Sequence, residues 1–288
     1  MHARPILLLG GSGQVGQELT RLRWPDHAPL VAPPRSEADI TDRAAIDALV
    51  GGANWHAVIN TAAFTAVDAA EEASADAFAA NALGPAILAD ATRRRGVPLI
   101  HVSTDYVFDG TKPAPYDEDD RTHPLGVYGA SKLAGEEAVR TGNPRHVIVR
   151  TAWVYGGAGK NFLATMLRLA SERETVPVVD DQRGSPTAAP DLAQALAAIA
   201  LRDDPGDRSG LYHFANRGET TWCGFARAIF ALSAARGGPS ATVRPIATAE
   251  FPTPARRPAN SRLATDKIER DLGIVPRHWE DALASVMA

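Results

Sequence analysis

The chain of 288 residues is short of the features that mark several other classes of protein. A single cysteine, Cys223, excludes an intrachain disulfide and a cysteine-rich metal centre, so we expect it to serve in packing. Apolar runs stay below the roughly 18 residues of a membrane span, and Ile6–Leu9 is too short for the core of a signal peptide. The 34 acidic residues outnumber the 30 basic ones, which disfavours a nucleic-acid partner. We expect a cytoplasmic protein with neither a membrane nor a nucleic-acid partner.

Strands and helices alternate through the first half of the chain. Short apolar runs without polar alternation are typical of strands that are buried on both faces of a parallel sheet. We predict such strands over residues 6–9, 30–32, 57–60, 99–103 and 147–150, and helices over 14–23, 42–50, 73–94 and 126–141, with Thr41 or Asp42 as an N-cap. This order predicts an α/β fold with a doubly wound, Rossmann-like parallel sheet.

The second half differs, because its predicted helices are separated by loops rich in glycine, proline and arginine. These helices cover residues 161–173, 188–201, 221–235 and 279–287. A chain of this length can bury one large core, or one large and one small domain. We therefore divide it into a dinucleotide-binding domain over residues 1–156 and a smaller C-terminal substrate-binding lobe over 157–288, some of whose segments complete the sheet.

Three glycines follow the first predicted strand with the spacing G-x-x-G-x-x-G, and a helical pattern begins directly after them. Glycines in this position let the backbone approach a pyrophosphate, and the free N–H groups of the helix N-terminus bind the anion. A structural turn is the alternative. The context of strand, loop and helix favours a dinucleotide site, whose contact residues are Gly10, Ser12, Gly13, Gln14, Val15 and Gly16.

Tyr128 and Lys132 lie four residues apart in a predicted helix and therefore share one face of it. A nearby ammonium lowers the pKa of a phenol, which would let the tyrosine exchange a proton with a substrate oxygen near neutral pH. A solvated surface pair is the alternative. The glycine loop favours the chemical interpretation, since a nicotinamide would supply a hydride and the tyrosine a proton. Residues 60–63 and 103–105 end two further predicted strands, so we expect them at the same crevice.

Several longer motifs are specific enough to indicate a family. The chain resembles the dTDP-4-dehydrorhamnose reductase family of extended short-chain dehydrogenase/reductases along essentially its whole length. The glycine loop and the Tyr-x-x-x-Lys pair are common to the superfamily, whereas the other motifs are more specific. Those motifs are Asn-Thr-Ala-Ala-Phe from residue 60, Ser-Thr-Asp-Tyr-Val-Phe from 103, Arg-Thr-Ala-Trp from 150 and Arg-Pro-Ala-Asn-Ser from 257.

The resemblance implies a catalytic and substrate-binding set. Tyr128 would be the proton donor, and Lys132 would hold the nicotinamide ribose while lowering the pKa of the tyrosine. Thr104 would bond the C4 carbonyl oxygen of a dTDP-sugar and, with Asp105 and Trp153, would line the sugar site. Arg257 would bind the substrate diphosphate. A solvated surface position for Arg257 and a core position for Trp153 are the alternatives.

The resemblance also implies cofactor contacts beyond the glycine loop. Asp39 and Ile40 would contact the adenine, and the backbone of Ala62, Ala63 and Phe64 would line the cofactor, although Asp39 could instead be a turn or capping residue. No acid ends the second predicted strand, and Arg35 could meet a 2′-phosphate. We therefore expect NADPH to be preferred and NADH accepted, unless a loop shift turns Glu37 toward the ribose.

Two other functions stay open at this stage. One is a nucleotide-sugar epimerase or a differently specific reductase of the same superfamily. The other is a non-catalytic, cofactor-binding subunit of the kind that regulates methionine adenosyltransferase. No metal is expected, and His101 and His213 are interpreted as structural because they lack metal-ligand spacing. A homodimer is compatible with the resemblance.

Overall fold

A computed structural model describes residues 3–157 and 159–288 of the chain. No helix in this described part is long and apolar enough to cross a membrane. The strands, in chain order, are β1 (Ile6–Leu9), β2 (Leu30–Val31), β3 (Ala57–Asn60), β4 (Leu99–Thr104), β5 (His146–Thr151), β6 (Val154–Tyr155), β7 (Thr175–Val179), β8 (Arg183–Gly184), β9 (Thr187–Ala188), β10 (Gly210–His213), β11 (Thr220–Thr221) and β12 (Thr242–Ile246).

Helices separate most of these strands. They are α1 (Gln14–Arg21), α2 (Arg43–Gly51), α3 (Val67–Ala70), α4 (Ser74–Phe78), α5 (Gly84–Arg94), α6 (Val127–Gly142), α7 (Phe162–Glu172), α8 (Ala189–Ala200), α9 (Trp222–Ala235), α10 (Asp266–Leu272) and α11 (Trp279–Val286). A π-helical turn over Ala79–Leu83 joins α4 to α5, and 3₁₀ turns cover Asp105–Val107 and Thr248–Glu250. Asp42 caps α2 by accepting the N–H groups of Ala44 and Ala45, as one of the two predicted caps.

The central sheet has six strands in the order β2–β1–β3–β4–β5–β10, and every neighbouring pair is parallel. The predicted doubly wound parallel sheet is confirmed. Because the strand order reverses at β1, the connections leave on opposite sides there and open a crevice at the carboxyl ends of the strands. The sixth strand, β10, comes from the second half of the chain.

Both faces of the sheet are buried, which explains why its strands lack polar alternation. Side chains alternate between the two faces: Ile6 and Leu8 pack with Leu19 of α1 on one face, whereas Leu7 and Leu9 pack with Ile46 of α2 on the other. Helix α8 joins α1 on the first face, and α5 joins α2 on the second. This layering fixes the strand ends, and therefore the loops that follow them.

A second apolar core lies in the C-terminal half. Its helices α7, α9 and α11 bury Leu163, Phe225 and Leu283, and the parallel pair β7–β12 covers one side. Cys223 is a free, buried thiol within this cluster. Two short ladders, β6–β9 and β8–β11, connect this region to the crevice.

The predicted helix over 73–94 is helical from residue 74 to 94, but it is not one regular α-helix. The chain forms α4, then the π-helical turn, and then α5. Asn81 occupies this turn and is fully buried. A π-helical turn inserts an extra residue into the helical register, and hydrophobic periodicity carries no signal for a single insertion.

Candidate active site

A crevice of about 1340 Å³ opens at the carboxyl ends of the sheet strands. It is lined by residues from the loops after β1, β2, β3, β4 and β5 and from α6. All but one of the residues expected from the sequence line it, the exception being Arg257. Those that line it are Gly10, Ser12, Gly13, Gln14, Val15, Gly16, Arg35, Asp39, Ile40, Ala62, Ala63, Phe64, Thr104, Asp105, Tyr128, Lys132 and Trp153.

The glycine loop can accept a pyrophosphate. Gly10 has a φ of 87°, and a Cβ there would lie 2.4 Å from the backbone nitrogen of Ala62. A Cβ on Gly16 would lie 2.1 Å from the carbonyl oxygen of Gly10, so α1 packs directly onto the loop. The N-cap residue of α1, Gly13, has no side chain to satisfy the first N–H groups of the helix. An anion in the crevice would find those N–H groups and the positive end of the helix dipole.

The loop after β3 is fixed by two buried asparagines that the sequence motifs did not single out for this purpose. The Asn60 side chain accepts the N–H of Ala62 at 3.1 Å. The Asn81 side chain accepts the N–H of Phe64 at 2.8 Å and donates to its carbonyl oxygen at 3.0 Å. Asn81 also donates to the hydroxyl of Ser131 on α6. The Asn81 side chain therefore holds both the expected cofactor loop after β3 and α6, the helix that carries Tyr128.

At the other end of the crevice, the segment after β2 presents Arg35 and Asp39. The Arg35 side chain is 83% exposed and pairs with Asp39 at 3.3 Å. Asp39 accepts the N–H and the hydroxyl of Thr41, and the backbone hydrogen bond is the first cause that lowers the pKa of Asp39. Asp39 is therefore a turn residue as well as part of the crevice wall. Glu37 is exposed and does not line the crevice.

Tyr128 is the second residue of α6 and lies against the loop that follows β4. Its ring meets that of Tyr106 edge-on, with 5.5 Å between the centroids. Thr104 ends β4, and its hydroxyl donates to Asp105 at 3.1 Å and accepts the N–H of Tyr106. Tyr128, Thr104 and Asp105 therefore meet at one point of the crevice wall.

The pKa of Tyr128 is raised rather than lowered, so the structure gives no support to the expected effect of Lys132 on it. Burial raises the pKa of Tyr128 above its ordinary value, and the neighbouring Asp105 carboxylate adds to this, while a hydrogen bond with Thr104 opposes it. A phenolate is costly where the ring is shielded from solvent. Tyr128 is therefore a neutral phenol at neutral pH and holds the proton that a donor needs.

Lys132 lies one helical turn from Tyr128, which is half-buried, and is itself buried. Its ammonium donates to the carbonyl oxygen of Val102 at 2.7 Å. Burial lowers its pKa to about 8, against the charge of Glu136, which raises it. Glu136 in turn forms a buried bidentate ion pair with Arg150, with hydrogen bonds of 2.7 and 2.8 Å, and accepts the hydroxyl of Ser103. The lysine is close to its titration point at physiological pH.

Asp105 is a buried carboxylate with an unused acceptor. Burial raises its pKa to about 6. Its Oδ1 accepts the Thr104 hydroxyl, and a hydrogen bond with Ser261 also opposes the rise in pKa, while no hydrogen bond of ordinary geometry reaches Oδ2 among the described residues. A buried acceptor without a partner is costly, so a hydroxyl group of a ligand would satisfy it.

Aromatic rings form the wall on the lobe side. Trp153 lines the crevice together with Trp222, and the two rings stack with 3.5 Å between their centroids. Trp222 is a residue that sequence reasoning missed, because a tryptophan at the start of a predicted helix is indistinguishable from a core residue. Lys160 and Thr151 line the crevice as well.

Arg257 lies beside the crevice rather than in its wall. It pairs with Asp68 at 2.7 Å, and its guanidinium lies 5.9 Å from the centre of the Tyr106 ring. The pair connects the loop after β12 to α3. Of the two terminal nitrogens, Nη2 binds Asp68, while Nη1 is buried and has no hydrogen bond of ordinary geometry among the described residues. Burial raises the pKa of the Tyr106 phenol, and the guanidinium lies close enough to oppose that rise.

The two histidines have structural surroundings. His101 is fully buried on β4 beside the Asn60 amide, and His213 on β10 bonds the carbonyl oxygen of Tyr116 at 3.1 Å. Burial is the first cause that lowers the pKa of both. Within the described residues, no group of three or more histidine, cysteine or acidic side chains is arranged to hold a metal ion.

Comparison with known proteins gives one consistent result. Residues 4–288 match the family model described as the RmlD substrate binding domain. A protein named dTDP-4-dehydrorhamnose reductase from Sinorhizobium fredii is 44% identical over 280 residues, which cover 96% of this chain and 94% of that protein. An identically named protein of Mycobacterium tuberculosis is 46% identical over 289 residues, which cover 98% and 92% of the two chains. A crystal structure of dTDP-4-dehydrorhamnose reductase from Bacillus anthracis in complex with NADP has a TM-score of 0.92 at 35% identity, over 99% of each chain.

Proposed function

Since this chain belongs to the dTDP-4-dehydrorhamnose reductase family, we propose that it reduces the C4 ketone of dTDP-4-dehydro-L-rhamnose to dTDP-L-rhamnose with NADPH, and that Tyr128 donates the proton. The observation that carries the proposal is the meeting of Tyr128, Thr104 and Asp105 in the crevice that the glycine loop also lines. One crevice thus offers both an anion-binding loop and a half-buried tyrosine that can donate a proton.

NADPH, when bound, supplies the hydride. Its pyrophosphate would lie on the glycine loop and the N-terminus of α1, and Arg35 would meet the 2′-phosphate. Lys132 would hold the nicotinamide ribose, because its ammonium uses one hydrogen on Val102 and retains two more donors.

Tyr128 and Thr104 would act at the C4 oxygen of the sugar. Thr104 would orient that oxygen by a hydrogen bond, its hydroxyl hydrogen turning from Asp105 to the substrate, and the phenol of Tyr128 would give up its proton as negative charge develops there. Carbon C4 gains the hydride and the oxygen gains the proton, so the ketone becomes an alcohol. Tyr128 is protonated before the reaction, as a proton donor must be.

The remaining site residues would bind the rest of the substrate. The unpartnered Oδ2 of Asp105 suits a sugar hydroxyl. The unpartnered Nη1 of Arg257 suits a phosphate oxygen, provided that the substrate extends past Tyr106 toward that side of the crevice. Trp153 would contact the sugar.

Turnover of dTDP-4-dehydro-L-rhamnose tests the proposal. The ketosugar is generated from dTDP-glucose by the upstream enzymes, and NADPH consumption is followed together with the NMR spectrum of the product. We expect stoichiometric NADPH oxidation and dTDP-L-rhamnose. An epimerase would change the sugar without net NADPH oxidation, and a regulatory subunit would bind NADPH without turnover. Either result would overturn the proposal.

A further inference from the structure

Trp153 has a backbone conformation that is rare for its residue type. Its φ is 50°, and it is the one non-glycine residue with positive φ in the described part of the chain. A bulky side chain adopts this region only where its surroundings hold it there. The residue lies between β5 and β6, two positions after the end of β5, and its carbonyl oxygen accepts the N–H of Thr187 at 3.1 Å.

The Trp153 indole packs against two neighbours. Trp222 stacks on one face at 3.5 Å with only 9° between the ring planes. Gly184 also lies against the ring, since a Cβ there would be 2.4 Å from Cε2 of the indole. The face that Trp222 covers is therefore closed to a ligand in the crevice.

These two neighbours are themselves connected. Gly184 on β8 pairs with Thr220 on β11, and Trp222 begins α9 immediately after that strand. Trp222 is held from three sides: Thr221 caps α9, the Trp222 indole N–H donates to the side chain of Gln182 at 3.2 Å, and Phe162 packs against its ring. The gap that accepts the Trp153 ring is therefore fixed before any ligand binds.

We propose that Trp222 is a positioning residue that holds the Trp153 indole in one orientation in the crevice wall, so that the sugar nucleotide meets a ring that is fixed before it binds. The inference rests on the proposed function, because it assigns the specificity of that same site. An indole held in one orientation presents its single N–H donor in a fixed direction, which suits a polar, hydroxyl-rich sugar.

Kinetics of single and double variants test the inference. Trp222→Ala should raise the KM for dTDP-4-dehydro-L-rhamnose about ten-fold, the loss of about one oriented hydrogen bond, and leave the KM for NADPH unchanged. Trp222→Phe keeps an aromatic cover and should restore most of the wild-type KM. Gly184→Ala, whose new methyl group would displace the Trp153 indole, should also raise the KM for dTDP-4-dehydro-L-rhamnose. In a Trp153→Ala background, Trp222→Ala should add nothing, because its effect passes through Trp153.

Leu283→Ala is the control for general damage to the lobe. Leu283 is fully buried in the same core, on α11. This variant should lower stability but leave both KM values unchanged. The inference would be overturned if the effects of Trp153→Ala and Trp222→Ala on this KM were fully additive, or if the KM of Trp222→Ala equalled that of wild type. In either case, a wild type that reduces the ketosugar would still uphold the proposed function. A wild type that fails to reduce the ketosugar would overturn both.

Discussion

Burial sets the acid/base properties of the individual site residues more strongly than the spacing of charges in the sequence suggested. Tyr128 and Lys132 share a helix face as predicted, but Tyr128 is half-buried and Lys132 is buried, and this loss of solvent disfavours the charged form of each. The Tyr128 phenol therefore stays protonated, whereas the Lys132 ammonium loses its proton more readily than that of an ordinary lysine. Spacing predicts which side chains are neighbours, whereas the depth of the crevice depends on α6, β4 and the following loop together.

The pH dependence of the enzyme should therefore report Lys132. Its pKa in the folded protein is about 8, and above that pH it loses the charge that we assign to ribose binding. We expect kcat/KM for NADPH to fall about ten-fold per pH unit above about pH 8. A profile that stays flat to pH 10 would remove this assignment.

Stability should change in the opposite sense over the same range. The folded pKa of Lys132 lies below its ordinary value of 10.5, so between about pH 8 and 10.5 the unfolded chain binds the proton more strongly. Unfolding free energy should then rise with pH through this window. Lys132→Met is the control, because it lacks the titration. The difference between the two unfolding profiles isolates Lys132, and parallel profiles would contradict the assigned burial.

Arg35 tests the choice of cofactor. Its exposed pair with Asp39 is of the kind worth about 1 kcal/mol or less, so it can open for a phosphate. Arg35→Ala should raise the KM for NADPH and leave that for NADH unchanged, which narrows the preference. Arg43→Ala, another exposed arginine in an ion pair, is the control and should change neither. A higher kcat/KM for NADH than for NADPH in the wild type would contradict the role given to Arg35.

Variants of Arg257 and of its partner Asp68 distinguish a role in substrate binding from a role in anchoring the loop. Both changes break the same ion pair, but only Arg257 carries a buried nitrogen without a partner. Arg257→Ala should raise the KM for the dTDP-sugar more than that for NADPH, whereas Asp68→Asn should mainly lower the melting temperature. Equal KM effects of the two variants would show that Arg257 serves the loop alone.

At the scale of elements, the positions of helices and strands were predicted more accurately from the sequence than the way in which they begin and bend. The predicted strand over 57–60 agrees with β3, and the predicted helix over 126–141 differs from α6 by one residue at each end. The short ladders β6–β9 and β8–β11 were missed, because two-residue strands carry no periodicity. Their pairing depends on contacts between distant segments.

The start of α6 shows what sequence reasoning leaves out. Its N-cap, Gly126, has no side chain, and Glu71 from the segment after α3 accepts the N–H of Val127 at 2.9 Å in its place. A cap that comes from 56 residues away has no local signature. The helix that carries Tyr128 is therefore fixed at its first turn by a remote carboxylate.

Glu71→Ala should lower both stability and turnover. Loss of a cap costs about 1 kcal/mol, and the first turn that loosens includes Tyr128. Glu71→Gln keeps an acceptor oxygen and should recover most of the loss. Glu72→Ala is the matched control, since the Glu72 side chain makes no hydrogen bond within the described residues. Denaturant unfolding and kcat measured on the same three variants check this, and equal behaviour of Glu71→Ala and Glu72→Ala would contradict it.

At the scale of the whole molecule, the parallel order of the sheet brings distant motifs to one edge. The glycine loop, the loop after β3 and the segment after β4 were expected to converge, and all three line the crevice. The crevice wall formed by Trp222 could not be predicted, because it depends on how the C-terminal core packs against β6 and β8. The division into domains at residue 156 and the homodimer stay predictions.

The central claim is that both substrates bind in this crevice and that Tyr128 protonates the ketone. The most direct test is the single-turnover rate of Tyr128→Phe, saturated with NADPH and dTDP-4-dehydro-L-rhamnose, with the Kd for NADPH measured on the same protein. Phenylalanine keeps the ring against Tyr106 and removes only the acid. We predict that the rate falls by about 10²–10⁴ with Kd nearly unchanged. A Tyr128→Phe enzyme that reduces the sugar at close to the wild-type rate would contradict the account.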